Sequence, residues 1–246
     1  TRALIDVALD RAQKMIDLHR PLADVEPIFE EIRKEARAWR DRVLRGPAWA
    51  LSYAAEVERF GMSGAIEKRI AELRLKTGDE KGAFVSWRES RDWYREAVEK
   101  RKREVERVRV SHWVLTQYLS LSAVLKERVD SAWWTTAREM VQAQLKGSGS
   151  DVSDQAWANA TLAELALLAT IYGDDASRDR SQIREQVVAH CREIRRLMGD
   201  DSFHVYSTRR QFQRYLDLWK RDEWQDIARL VADGARIRVD GQVLDQ

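Results

Sequence analysis

The residue types that carry chemistry are present in this sequence, but their spacing is wrong for most reactions. His190 and Cys191 are the one histidine–cysteine neighbour pair. A thiolate nucleophile needs an imidazole within hydrogen-bond reach. Adjacent residues on a helix point about 100° apart, so the pair forms no dyad by itself, and Cys191 reads as a buried structural cysteine. His19, His112, His190 and His204 show no recognised zinc spacing. Gly61-Met-Ser-Gly64 and Gly147-Ser-Gly149 lack the lysine and the strand–loop–helix setting of a phosphate-cradling loop. Asp174-Asp175 and Asp200-Asp201 read as acids complementing helix N-termini. Thr116, Thr161 and Thr208 recur without a periodic base beside them. Mid-helix threonines commonly bond back to a carbonyl one turn earlier, which is the expectation here. Glu164, alone on an apolar stretch, and Glu56 are expected to bond neighbouring helices. No catalytic residue, metal site or cofactor is expected.

Charge is the remaining resource. Lys100-Arg-Lys-Arg103 is interleaved with Glu96, Glu99, Glu104 and Glu106 and reads as a solvated helix face. Arg192, Arg195, Arg196, Arg209, Arg210 and Arg214 come from consecutive predicted helices. They could converge on an acidic protein segment or a nucleic-acid backbone. With 43 basic against 41 acidic side chains, the net charge gives little reason to expect nucleic acid or an acidic membrane. The adjacent Trp133 and Trp134 can hardly both face one core, so one is a candidate exposed anchor. Trp219 and Trp224 could meet a further segment.

The elements that must position these side chains are helices. The three prolines, Pro21, Pro27 and Pro47, all fall in the first fifth, leaving a long proline-free stretch. Apolar stripes at helical spacing predict helices over about 3–18, 24–44, 48–60, 63–75 and 79–108. Asp24 is expected to cap the second, and Gly61 to separate the third from the fourth. Three helix pairs follow: 111–126 with 131–145, 154–171 with 178–197, and 202–219 with 222–232. Lys146-Gly-Ser-Gly-Ser-Asp reads as a flexible linker, and alternation around Asp240-Gly241 as a short β-hairpin. No apolar run is long enough to span a bilayer. A single cysteine fits a reducing compartment, so the expected location is cytoplasmic. Because the chain begins at Thr1 rather than methionine, a longer parent protein is expected.

The pairs share a pattern. Trp113-Val-Leu-Thr116, Trp157-Ala-Asn-Ala-Thr161 and Phe203-His-Val-Tyr-Ser-Thr208 place an aromatic before each threonine. A period of roughly 20–50 residues marks stacked supersecondary units, and the aromatics are expected to plug the grooves between them. Helix pairs of this kind resemble tetratricopeptide units. The stretch from Trp157 through Gln211 resembles the tetratricopeptide-like TRAF-binding domain of mitogen-activated kinase kinase kinases and of bacterial signalling and conflict proteins. That resemblance implies a regulatory scaffold beside an effector domain, with a bacterial-defence or signalling setting and no catalytic residues to carry over.

The expected fold is all-α: a superhelical array of antiparallel helix hairpins with N-terminal hairpins over 1–109, three repeats over 110–234 and a tail over 235–246. Whether 1–109 shares the solenoid is open at this stage, as is the oligomeric state. The expected function is non-catalytic recognition of a peptide or helix of a protein partner, with Trp134, Tyr206, Arg209, Arg210 and Arg214 as the binding residues. The alternative is a nucleic-acid-binding helical module using the Arg192–Arg214 cluster.

Overall fold

The computed structural model describes residues 2–44, 53–103, 112–147, 151–174 and 179–232. Within them the chain is all-α, with ten helices packed chiefly against their sequence neighbours and no strand. The expected hairpin around Asp240 and residues 148–150 of the expected linker lie outside the described residues. The chain divides into two compact units, Thr1–Leu125 and Lys126–Gln246.

The first unit holds α1 (Arg2–Asp17), α2 (Leu22–Leu44), α3 (Tyr53–Lys76), α4 (Glu80–Arg103) and α5 (His112–Val124). Ile5, Ala12 and Ile16 form the buried stripe of α1. They pack on Val25, Ile28, Phe29 and Ile32 of α2 and on Ile66, Ile70 and Leu73 of α3. The α1–α2 turn closes without glycine: His19 adopts φ 55°, and the Arg20 amide reaches back to the Met15 carbonyl. That is the left-handed cap that ends many helices. Gly78 does the same after α3, with φ 80° and the Asp79 amide bonded to the Arg74 carbonyl. α2 starts at Leu22, so Asp24 lies inside its first turn rather than capping it.

Gly61 does not break the chain. α3 runs through it because both glycines in this segment face aromatic rings. A β-carbon at Gly61 would stand 2.6 Å from the Trp113 ring, and one at Gly64 2.7 Å from the Tyr94 ring. Close helix approach has overridden helix propensity here.

The second unit holds α6 (Ala132–Lys146), α7 (Val152–Tyr172), α8 (Arg180–Met198), α9 (Phe203–Asp217) and α10 (Gln225–Ala232). α7 is buried on almost every side from Ala156 to Tyr172, as its Ala- and Leu-rich sequence requires. It contacts α6, α8 and α9. Its cap is Asp151, which accepts from the Asp154 amide at 2.7 Å. The caps of α8 and α9 are Asp179 and Ser202; Asp200 instead pairs with Arg195, and Asp175 lies outside the described residues. Trp219 and Trp224 are fully buried around Tyr215, edge-on to it at 5.0 and 4.9 Å. They complete a core rather than offering a surface to another segment. Among the described residues, no helix is long and apolar enough to cross a membrane.

Candidate functional site

The recurring threonines are structural. Thr116 donates to the His112 carbonyl at 2.8 Å, Thr161 to Trp157 at 3.0 Å and Thr208 to His204 at 2.8 Å. Each bond spans one helical turn, so each hydroxyl is spent within its own helix. Glu164 accepts from Gln211 Nε2 at 2.8 Å and from Tyr215 Oη at 2.6 Å, tying α7 to α9. Cys191 is a free thiol whose pKa burial pushes up to about 12, although Arg195 pulls the other way. A thiol raised in this way disfavours the reactive thiolate. Ser153 Oγ and His204 Nε2 are 2.9 Å apart. The ring lies tilted against Trp157, centroids 4.6 Å apart, and its Nδ1 meets no hydrogen-bond partner among the described residues. Among the described residues, no carboxylate orients this serine–histidine pair. Among the described residues, no three His, Cys, Asp or Glu side chains are grouped as metal ligands.

The residues expected to bind a partner do not form one patch. Trp134 is 6% exposed, and its indole N–H donates to the Leu165 carbonyl at 2.8 Å. A ring so held is a strut between α6 and α7, and the more accessible indole of the pair is Trp133. Burial decided this, because a buried indole N–H needs an acceptor and Leu165 supplies one. Tyr206 and Phe203 project from α9 at 59% and 67% exposure. Phe203 thus departs from its expected role as a plug; it lies edge-on to the half-buried Trp157 at 6.0 Å. Arg210 is half-buried and shares that outer face, four residues beyond Tyr206. Arg209 lies off that face, whereas Arg214, four residues beyond Arg210, continues it. Arg209 Nε donates to the Ala232 carbonyl at 2.9 Å, and Arg214 donates to Gln211 at 2.7 Å. Arg195 and Arg209 meet at a recess of about 20 Å³ beside Cys191, while Arg196 turns to Glu193 on its own helix. The arginine cluster is therefore spread over several faces.

A different site appears in the first unit. A cleft of about 250 Å³ lies between α2, α3 and α4. Its first wall carries Arg33, Arg37 and Arg40 from α2, and its second Glu89, Asp92 and Glu96 from α4. Ile66 and Ala36 supply apolar lining, and Trp93 adds an indole. The spacing explains the walls, since residues i, i+3, i+4 and i+7 share a helix face. The cleft's deep end is sealed by Arg33. Its Nε and Nη2 donate to the two carboxylate oxygens of Glu67, both at 2.9 Å. Nη2 also reaches Ser86 Oγ at 3.0 Å, Nη1 reaches Glu30 at 2.8 Å, and Glu89 stands 3.8 Å away. Burial lowers the Arg33 pKa, but the bonds and charge of Glu67 outweigh it, so the guanidinium stays charged. Burial raises Glu67 above the ordinary carboxylate range, helped by neighbouring Glu89 and opposed by Arg33. Arg40 lies over the Trp93 ring at 4.5 Å and pairs with Asp41. Sequence reading passed over this site. Its signal is the matched pattern Arg33/Arg37/Arg40 and Glu89/Asp92/Glu96, which looks like two solvated faces until their helices are paired.

No family model matches the chain, and neither a curated protein nor a solved structure matches it.

Proposed function

We propose that this chain is a non-catalytic recognition module, a tetratricopeptide-like array of helix hairpins that docks a segment of a protein partner and so regulates an associated effector. The resemblance to TRAF-binding domains carries the regulatory part of this reading. The observation that supports docking is the outer face of α9, where Phe203 and Tyr206 stand exposed beside Arg210. Exposed aromatics beside an arginine are the residue types enriched among interface hot spots. Their chemistry suits an acidic segment bearing an apolar anchor. The nucleic-acid alternative draws less support, because Arg195, Arg196, Arg209 and Arg214 each turn to a partner within the protein.

The test is affinity capture from native cells with the full chain, comparing wild type with the triple variant Phe203→Ala, Tyr206→Ala, Arg210→Ala. A specific partner lost with the variant, at unchanged helical circular dichroism, is the expected result. Identical captured proteins from both would remove α9 as the docking face. Binding to nucleic acid that weakens steeply with salt would favour the alternative.

A further inference from the structure

The cleft of the first unit is built differently from an ordinary ion-pair ladder between helices. In such a ladder, opposite charges satisfy each other. Here the deep pair does so: Arg33 and Glu67 are joined by two parallel hydrogen bonds. At the mouth, Arg37 on one wall and Glu96 on the other have no hydrogen bond or ion pair among the described residues, and both are exposed. Asp92 is held by its helix neighbours Arg91 and Arg95 at 3.0 and 3.5 Å, and Arg40 by Asp41. Among the described residues, one cation and one anion thus remain uncommitted, on opposite walls of a recess with Ile66 and Trp93 in its lining.

We propose that this cleft binds a free α-amino acid with an apolar side chain. Its carboxylate would meet the Arg37 side, its ammonium the Glu96 and Asp92 side, and its side chain the Ile66–Trp93 surface. The size agrees: about 250 Å³ is just below the roughly 300–1,000 Å³ of sites for larger ligands. The charge pattern agrees as well. A simple anion would meet the α4 acids, a simple cation the α2 arginines, and only a ligand carrying both charges satisfies both walls. Arg33 and Glu67, locked together beneath, would hold the walls apart without touching the ligand's charges. The site lies in the first unit, so its success or failure is independent of the α9 docking surface.

The experiment is calorimetric titration of the full chain with L-phenylalanine and L-leucine at millimolar concentrations. N-acetyl-L-phenylalanine and L-phenylalaninamide, each lacking one charge, serve as controls. The amino acids are expected to bind, and each blocked form to bind at least about tenfold more weakly, since each loses a charge-assisted contact. Arg37→Gln and Glu96→Gln alter exposed side chains and are expected to weaken binding similarly while keeping the helical spectrum. In wild type, the Trp93 indole N–H resonance, identified by its absence in Trp93→Phe, should shift on titration. No heat and an unmoved Trp93 resonance would overturn the proposal. Equal binding of the blocked forms would overturn it too, as would undiminished binding by both variants.

Discussion

Arg33 is the residue on which the interior of the first unit turns. Its guanidinium is nearly buried and serves Glu67, Ser86 and Glu30 at once. A buried ion pair gains Coulomb energy but loses hydration, so its net contribution is small. Breaking it is another matter, because the partner left behind is a desolvated charge. Arg33→Met is therefore expected to destabilise the protein by about 3–5 kcal/mol, whereas Arg33→Met with Glu67→Leu recovers most of that loss. Chemical denaturation of the two variants checks this. Equal losses in both would mean that packing volume, rather than charge, is at stake.

His190 illustrates the same physics with a titrating group. Its Nδ1 lies 2.9 Å from Asn159 Oδ1. Burial lowers its pKa, and Arg138 adds to that effect. The unfolded chain therefore takes up a proton that the folded ring resists. Stability is level above the ordinary histidine range and falls as the pH drops through it towards the lower folded value. The slope from one such group is at most about 1.4 kcal/mol per pH unit. His190→Gln has no proton to gain at this position, so its stability should fall less than wild type between pH 7.5 and 5.5. Parallel curves from denaturant titrations would show that another group governs the acid limb.

At the level of elements, α3 carries the clearest conflict between local preference and packing. Glycine inside a helix costs about 1 kcal/mol relative to alanine, so Gly64→Ala would stabilise an isolated helix. In the folded unit the new methyl meets the fully buried Tyr94 ring at 2.7 Å. Ser90 Oγ also donates to the Gly64 carbonyl at 2.6 Å, pinning α3 against α4. Overpacking of this kind typically costs about 1–3 kcal/mol, so the net effect is expected to be a lower melting temperature, read by circular dichroism. A rise would mean that α4 shifts freely. This position also shows what was legible in the sequence. Apolar periodicity located most helices, because burial of one stripe is a local signal. It misjudged Gly61, because a glycine kept for a distant ring looks the same as a glycine that ends a helix. It found the threonine–carbonyl bonds, which follow from side-chain chemistry on one helix, and the Glu164 tie, because a lone carboxylate on an apolar helix must find a partner on a neighbouring one. It misplaced Trp134, Trp219 and Trp224 and missed the α2–α4 cleft, because those depend on which helix faces which.

For the whole chain, the consequential fact is that each unit carries its own core. The division falls at Leu125–Lys126, just beyond α5, where Lys126 takes φ 58°. A non-glycine residue in that conformation ends a helix rather than continuing it. Beyond it, the second unit has the buried helix α7, the Glu164 tie and the Tyr215–Trp219–Trp224 cluster. Trp224 also donates to the Trp219 carbonyl at 3.0 Å, locking the ring geometry. Domains with their own cores can fold alone, so the fragment spanning 126–246 is expected to be helical and to melt cooperatively. Its aromatic cluster should give a fixed near-ultraviolet circular dichroism signal. Trp224→Ala is expected to remove that signal and lower stability by about 3–5 kcal/mol, as large aromatic truncations in cores do. A fragment that keeps its far-ultraviolet helix signal but lacks the near-ultraviolet one would be a loosely packed state. That outcome would show that this core needs the rest of the chain, and the α9 face could then be tested only in the intact protein.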